Sequence, residues 1–174
     1  SSDHFGRVDI WINNAGLGQP LSDMRNLPPE QMAAIIQTNV LGTLYGSRVA
    51  LNGMIAQGFG ALYNMEGLGS NGRKQQGLNV YGTSKYAVRY IGEALVQELK
   101  DSAIIVGSLS PGMVVTDFLT DSYIGRPEQW QKDQRILNIL CDQVETVTPW
   151  LADQILKNRK SGVRINWYRR GKLF

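Results

Sequence analysis

The chain has 174 residues, 43% of them hydrophobic and 19% charged, with one cysteine, one histidine and a net charge of +3. This composition is typical of one soluble globular domain, and the single Cys141 excludes a disulfide framework and a cysteine-only metal cluster. The single His4 excludes histidine-based zinc sites and serine-type triads, so we expect no metal site, and any catalysis must use other groups.

Three short apolar runs predict buried parallel strands, and each run ends in a polar or glycine-rich loop. The runs cover residues 8–12, 61–65 and 103–109, and the loops cover residues 13–16, 66–72 and 110–112. Apolar residues at helical spacing predict the intervening helices. These cover residues 28–50, 81–100, 126–142 and 149–158, and a last apolar run covers 163–167. The alternation predicts an α/β fold with a right-handed parallel sheet, and a ligand site where the loops converge beyond the strand ends.

Tyr81 and Lys85 lie four residues apart at the start of a predicted helix, so both side chains share one face. A free phenol has a pKa near 10, and a neighbouring ammonium lowers it by favouring the phenolate. The pair can therefore serve as a general acid/base where no histidine is available. As an isolated motif, the spacing is more typical of an exposed lysine beside a tyrosine at the edge of the core.

The motif is not isolated, because Asn-Asn-Ala-Gly at 13–16 precedes it and Ser-Pro-Gly at 110–112 follows it. In this order the three motifs resemble the classical short-chain dehydrogenase/reductase family over nearly the whole chain. The resemblance implies a Rossmann-like doubly wound parallel sheet and hydride transfer between a nicotinamide cofactor and a carbonyl or alcohol group. Tyr81 would exchange a proton with the substrate oxygen, while Lys85 would hold the nicotinamide ribose and lower the tyrosine pKa. Asn39 matches the helix asparagine that anchors a proton-relay water; a surface-facing asparagine is the alternative.

The resemblance also implies the residues that contact the cofactor. Asn14, Ala15 and Gly16 would border its adenosine and ribose, and Asn13 would also stabilise the central strand. Further along the chain, Pro111 and Gly112 would pass beside the nicotinamide, Val114 would contact the carboxamide, and Thr116 would reach the diphosphate. NADP(H) is favoured by the resemblance, and NAD(H) is left open.

The fourth catalytic position departs from the family pattern. Most members carry a serine where this chain has Gly67, so the nearest hydroxyl, Ser70, is the candidate to polarise the substrate carbonyl. The loop 64–72 looks like that of the chlorophyll b reductase branch, with Glu66 in place of aspartate. That branch reduces a formyl group with NADPH, which implies a carbonyl on a large apolar substrate. The aromatic region 118–140 would be the substrate lid, or else ordinary packing.

The family's glycine-rich phosphate-binding turn is absent from the chain. We therefore expect residues 1–174 to form the catalytic half of a single NAD(P)-binding domain, without the N-terminal strands. The alternative is a truncated, non-catalytic binding or scaffold module that pairs through the helix face of Val88, Ile91 and Leu95. Classical members often associate through their two long helices, so we expect a homo-oligomer formed by residues 29–50 and 81–100.

The expected location is the cytoplasm, because no apolar stretch approaches 18 residues and no signal peptide is visible. For a plant or algal protein, the resemblance implies the plastid stroma or thylakoid surface instead. Seven basic residues lie in the last 18 positions, beside Trp167, Tyr168 and Phe174. We favour a solvated tail over peripheral contact with a partner or an anionic membrane, and nucleic acid is the weakest candidate partner.

Overall fold

A computed structural model describes residues 6–115 and 141–168, together with Glu128, Gln131, Lys132, Gln134 and Leu137. The expected diphosphate contact Thr116 lies outside the described residues, as do most of the helix expected at 126–142 and most of the region 118–140. The last six residues are outside them too, so the structure describes the basic tail only as far as Tyr168.

Six strands are described, and four of them form one parallel sheet. The strands are β1 (Ile10–Asn13), β2 (Gly60–Met65), β3 (Ile104–Ser110), β4 (Val114–Val115), β5 (Asp142–Gln143) and β6 (Arg164–Asn166). The sheet has the order β1-β2-β3-β6, and β4 pairs with β5 separately. In the sheet Asn13 lies beside Asn64, which in turn lies beside Ser108. All three predicted strands are thus present, and their polar ends stand in one row.

In the described part of the chain, four α-helices connect the strands: α1 (Pro29–Ile36), α2 (Gly42–Gln57), α3 (Asn79–Glu98) and α4 (Val144–Lys157). A π-helical turn, Gln37–Leu41, joins α1 to α2. The helix expected over 28–50 continues to Gln57, because the left-handed backbone that ends it is at Gly58, with φ of 82°. The expected start of the last helix at Pro149 is wrong. The helix begins at Val144 and contains the proline.

Helices cover both faces of the sheet. Leu51 and Met54 of α2 pack with Leu62 and Ile104 on one face, where Leu95 of α3 joins them. Tyr63, Leu109 and Ile165 point to the other face and pack with Val147 and Leu151 of α4. Successive strand residues such as Leu62 and Tyr63 therefore serve opposite layers, as the twofold period of a strand requires. The α/β fold with a parallel sheet is confirmed.

The free helix face that the scaffold alternative needs is not available. Val88 and Ile91 are buried in α3, which packs on β2 and β3, and Leu95 contacts the core beneath α2. That expectation was wrong because the apolar stripe of α3 covers the chain's own sheet.

Candidate active site

The loops after β1 and β2 meet at the start of α3, as the sequence predicts. A methyl group added at Gly16 would lie 3.4 Å from both Asn39 Oδ1 and Lys85 Nζ. A methyl group added at Gly67 would lie 2.5 Å from the Tyr81 hydroxyl oxygen. Both loops therefore approach Lys85 of α3 closely, and each does so with a residue that has no side chain.

Tyr81 and Lys85 are both buried, with 8% and 5% of their surfaces exposed. Lys85 Nζ lies 5.9 Å from the centroid of the Tyr81 ring and donates a hydrogen bond of 3.2 Å to the Met65 carbonyl at the end of β2. The alternative interpretation of the motif, an exposed lysine beside a tyrosine at the edge of the core, is therefore wrong. The structure brings the phenol and the amine together at the carboxyl edge of the sheet.

Burial controls the protonation of both groups. It raises the pKa of Tyr81 from 10.0 to about 12, because a buried phenolate loses its hydration. It lowers the pKa of Lys85 from 10.5 to about 8, and the charge of Glu66 opposes this effect. Burial therefore acts on the Tyr81 pKa in the direction opposite to that expected from Lys85, and the expected lowering by the lysine stays a prediction.

Sequence reasoning missed two residues that fix the start of α3. Leu78 precedes the helix and cannot cap it, so the Tyr81 N–H donates instead to Gln19 Oε1 at 2.9 Å. Gln19 Nε2 donates to the Gly77 carbonyl at 2.8 Å, which makes this buried amide a bridge between two loops. Ser84 Oγ donates to the Tyr81 carbonyl at 2.7 Å. Nothing in the spacing of Gln19 signals this contact, because the two partners are far apart in sequence.

Asn39 is buried, so a surface-facing asparagine is wrong. Its Oδ1 accepts from the Leu17 N–H at 2.7 Å, and its Nδ2 donates to the Leu17 carbonyl at 3.0 Å and to Ser84 Oγ at 2.9 Å. Its own carbonyl accepts from Thr43 Oγ1 at 2.7 Å. The side chain thus connects the loop after β1, at Leu17, to Ser84 in the second turn of α3.

Ser70 is placed differently from its expected role. The side chain is buried, and Oγ donates to Glu66 Oε2 at 3.0 Å. The single hydroxyl proton is therefore directed at a carboxylate, whereas carbonyl polarisation needs it directed at the substrate. Gly67, in the position of the family serine, is the residue that stands against the Tyr81 hydroxyl.

The expected cofactor residues fall into two groups. Asn14 and Ala15 are exposed and line a pocket of about 240 Å³ beside Thr38, Gly42 and Gly46. Asn13 is held in the sheet, since its Nδ2 donates to Asn64 Oδ1 at 2.8 Å and to Ser47 Oγ at 2.9 Å. This hydrogen bonding fits the expected role of Asn13 in stabilising the central strand.

The second group follows β3. Pro111, Gly112 and Val114 are half-buried, and Gly112 has a left-handed backbone with φ of 78°. A methyl group at Gly112 would collide with the ring of Tyr168, whose hydroxyl accepts from the Met113 N–H at 2.9 Å. The glycine is therefore required by its backbone conformation and by Tyr168.

Within the described ranges, no helix is long and apolar enough to span a membrane, and no three His, Cys, Asp or Glu side chains cluster as metal ligands.

Comparison with known proteins identifies the family of the chain. The family model for short chain dehydrogenases matches residues 1–126. A curated relative from Oryza sativa subsp. japonica, named "Probable chlorophyll(ide) b reductase NYC1, chloroplastic", is 33% identical over 189 residues and is matched over 100% of this chain. The closed form of serine dehydrogenase complexed with NADP+ is 29% identical, with a TM-score of 0.67, over 74% of this chain and 52% of that chain. ElxO with NADP bound, at 22% identity and a TM-score of 0.79, shows the same fold over 95% of this chain and 67% of that chain.

The chain spans 36% of the length of the rice relative, which is about a third. The family model covers well over half of the chain, including the loops after β1 and β2, the Tyr81–Lys85 pair and the Pro111–Gly112 loop. The chain belongs to the short-chain dehydrogenase/reductase family.

Proposed function

We propose that the chain carries the catalytic residues of a nicotinamide-dependent carbonyl reductase, in which Tyr81 donates the proton to the substrate oxygen. One observation carries this proposal: Tyr81 and Lys85 lie buried side by side, where the loop of Gly67 reaches both of them and the loop of Gly16 reaches Lys85. Their roles remain as the family resemblance implies, with Asn39 in the proton relay.

The residues at this edge fit a nicotinamide cofactor. Gly16 leaves a cradle between Asn39 and Lys85 that a side chain would fill. Asn14 and Ala15 line the neighbouring pocket and would hold the adenosine end. Lys85 would donate to the ribose hydroxyls, and Pro111, Gly112 and Val114 would border the nicotinamide. When bound, the cofactor supplies the hydride. NADP(H) is the proposed form, since the serine dehydrogenase relative is complexed with NADP+.

The pKa values fit the proposed role of Tyr81 as a proton donor. With a pKa of about 12, Tyr81 holds its proton at neutral pH and is ready to act as a general acid. With a pKa of about 8, Lys85 is mostly an ammonium at pH 7 and can donate hydrogen bonds to hydroxyls. A carbonyl oxygen that becomes an alkoxide on hydride addition therefore meets a protonated phenol.

The proposed substrate class is an aldehyde or ketone on a large apolar molecule, of the kind that a chlorophyll(ide) b reductase acts on. Its support is the name of the rice relative, together with the resemblance of loop 64–72. The proposed location is the plastid, at the stroma or thylakoid surface, and its support is the word "chloroplastic" in the name of the same relative. The alternative of a non-catalytic scaffold module is not favoured, because Val88 and Ile91, through which it would pair, are buried.

The substitution Tyr81→Phe tests the mechanism. We expect it to lower turnover about 10²- to 10⁴-fold, because it removes the proton donor, while the affinity for NADPH stays within about threefold. Tyr86→Phe is the matched control, since Tyr86 is an exposed tyrosine one turn along α3. Turnover is measured with a chlorophyllide b substrate and with simple aromatic aldehydes, and NADPH affinity by fluorescence titration.

Residual turnover of Tyr81→Phe within tenfold of the parent protein would contradict the acid role. Binding of neither NADPH nor NADH would sink the whole proposal. Reduction of simple aldehydes without reduction of the chlorophyllide would retain the reaction and reject the substrate.

A further inference from the structure

Glu66 is a buried carboxylate that belongs to none of the roles above. Its side chain is only 2% exposed, and a single oxygen, Oε2, accepts from Arg164 Nε at 2.7 Å and from Ser70 Oγ at 3.0 Å. A buried charge is retained only where partners compensate it, so these two donors define the orientation of the side chain.

The segment that Glu66 holds is the one that contacts the catalytic pair. The carbonyl of the preceding residue, Met65, accepts a hydrogen bond from Lys85 Nζ at 3.2 Å. The following residue, Gly67, lies so close to the Tyr81 hydroxyl that a methyl group on it would collide with the hydroxyl oxygen. The segment closes as a turn, in which the Ser70 N–H donates to the Gly67 carbonyl at 3.1 Å. We refer to residues 66–70 as the glutamate turn. A shift of this turn would move the surroundings of both Tyr81 and Lys85.

Arg164 connects Glu66 to the end of β3 as well. It lies in β6, and besides Glu66 it donates through Nη2 to Ser110 Oγ at 3.2 Å. Ser110 is the last residue of β3 and directly precedes the Pro111–Gly112 loop. Through its ion pair with Glu66 and its hydrogen bond to Ser110, Arg164 at the start of β6 therefore joins the carboxyl ends of β2 and β3, on the side where the cofactor and the substrate are proposed to bind.

We infer that Glu66 and Arg164 are positioning residues, whose ion pair fixes the glutamate turn against Tyr81 and Lys85 and couples it to the Pro111–Gly112 loop. The kinetic consequences of this inference rest on the proposed function. Its electrostatic consequence does not, because the two charges act on Lys85 whatever the chain catalyses.

Removing Glu66 and removing Arg164 should change the pKa of Lys85 in opposite directions. Tyr81 faces the lysine from its own helix and Glu66 from the loop after β2, while Arg164 of β6 acts through Glu66. Gly16 and Asn39, which approach it from the other loops, are uncharged. Arg89, also on α3, lies in the field of Glu66 as well. Removal of Glu66 takes a stabilising charge from the ammonium, whereas removal of Arg164 leaves Glu66 uncompensated.

The first measurement is the pKa of Lys85 itself, from the ¹³Cε chemical shift in protein labelled at lysine, with Lys85→Met for assignment. We expect Glu66→Gln to lower this pKa by about half a unit or more, and Arg164→Met to raise it. Glu93→Gln is the matched control, because it removes a carboxylate from an ion pair of the same 2.7 Å length that is exposed on α3.

The second measurement is steady-state kinetics with NADPH. We expect Glu66→Gln and Arg164→Met each to lower kcat about ten- to a hundredfold, with the KM for NADPH within about threefold, because the turn that supports Tyr81 is displaced. Glu66→Asp keeps the charge and should recover most of kcat. Glu93→Gln should leave all of these values unchanged.

Opposite shifts of the Lys85 pKa with parallel losses of kcat support the inference. Shifts in the same direction, no shift, or an unchanged kcat would overturn it. If Glu66→Gln does not fold, the other two variants still decide the question. The ion pair predicts that Arg164→Met raises the Lys85 pKa and that Glu66→Asp recovers most of kcat. If the parent protein reduces no carbonyl, the proposed function fails, and the titration of Lys85 still decides whether the pair acts on the site.

Discussion

Gly67 shows how a missing side chain can shape a catalytic site. A methyl group at this position would lie 2.5 Å from the Tyr81 hydroxyl oxygen and 3.3 Å from two carbons of Lys85. The serine that most family members carry in this position would therefore force Tyr81 or the glutamate turn to move. We expect Gly67→Ser to lower kcat/KM about tenfold or more, because a displacement near 1 Å in a reacting group is costly.

Gly82→Ala is the control for this substitution, since it is adjacent to Tyr81 and its added methyl group meets no atom within 4 Å. It should leave kcat/KM close to that of the parent protein. Equal or higher activity of Gly67→Ser would show instead that the turn yields and that a serine joins the reacting groups.

Lys85 should also leave a signature in the stability of the fold. Its pKa falls from 10.5 in the unfolded chain to about 8 in the fold, so the unfolded chain binds more protons between these pH values. Stability due to this group therefore rises with pH across the window and is lost as pH falls through 8. The full effect is about 3 kcal/mol.

This prediction is checked by urea unfolding of the parent protein and Lys85→Met at pH 7.5 and pH 10. We expect the difference in unfolding free energy between the two proteins to change by up to about 3 kcal/mol between these pH values. Lys100→Met removes an exposed lysine and should give a difference that is nearly constant with pH. The same constancy for Lys85→Met would show that the pKa of Lys85 in the fold stays near its unfolded value of 10.5.

At the scale of single elements, β2 contains one buried side chain whose hydrogen bonding is incomplete. The amide Nδ2 of the buried Asn64 has no hydrogen-bond partner among the described residues, and a methyl group at Gly92 of α3 would lie 3.5 Å from it. This is ordinary contact distance, and glycine inside a helix is less stable than alanine by roughly 0.5–1 kcal/mol.

We expect Gly92→Ala to raise the free energy of unfolding by about that amount. Gly92→Ser should raise it by roughly a further 0.5 kcal/mol, because its hydroxyl accepts a hydrogen bond from Asn64 Nδ2. Thermal unfolding of the three proteins measures both increments. A serine variant no more stable than the alanine variant would show that its hydroxyl does not reach the amide.

The elements also show what local sequence can and cannot specify. The three strands and their polar ends follow from short apolar runs, and Pro29 marks the start of α1, because a proline at the first helical position loses no hydrogen bond. Gln19, in contrast, caps α3 from a loop 62 residues away, and the structure must be known before it can be found. Ser70 had the right chemistry for its expected role, but Glu66 and Arg164 decide where its proton points.

At the scale of the molecule, the outer surfaces of α2 and α3 favour the expected homo-oligomer. Tyr45 and Val49 on α2 and Tyr90 on α3 each expose more than three fifths of their surface. We predict that Val49→Glu, combined with Tyr45→Glu, lowers the mass measured by sedimentation to that of a single chain. Leu156→Glu is the control, because Leu156 lies on α4 and is 63% exposed, the same as Val49. A single-chain mass in the parent protein would contradict the prediction directly.

The fold class and the meeting of Tyr81, Lys85, Gly16 and Asn39 at one edge could be predicted from the sequence, because parallel strands align their carboxyl ends whatever the side chains are. The protonation of Tyr81 could not. Spacing along a helix shows that a lysine can reach a tyrosine, but only three-dimensional packing shows that both are buried and that burial raises the pKa of the phenol. Thr116 lies outside the described residues, so its place at the diphosphate stays a prediction.

The parallel order of the sheet has a consequence for how the chain acquires its structure. Asn13 and its partner Asn64 are 51 residues apart, and Val106 finds Ser161 at a separation of 55. Each strand pair of the main sheet closes a long helix-containing segment, and chains dominated by such distant contacts fold slowly. During that delay the apolar strand edges and the face of α3 are open to other chains. We therefore expect refolding yield to fall steeply as protein concentration rises.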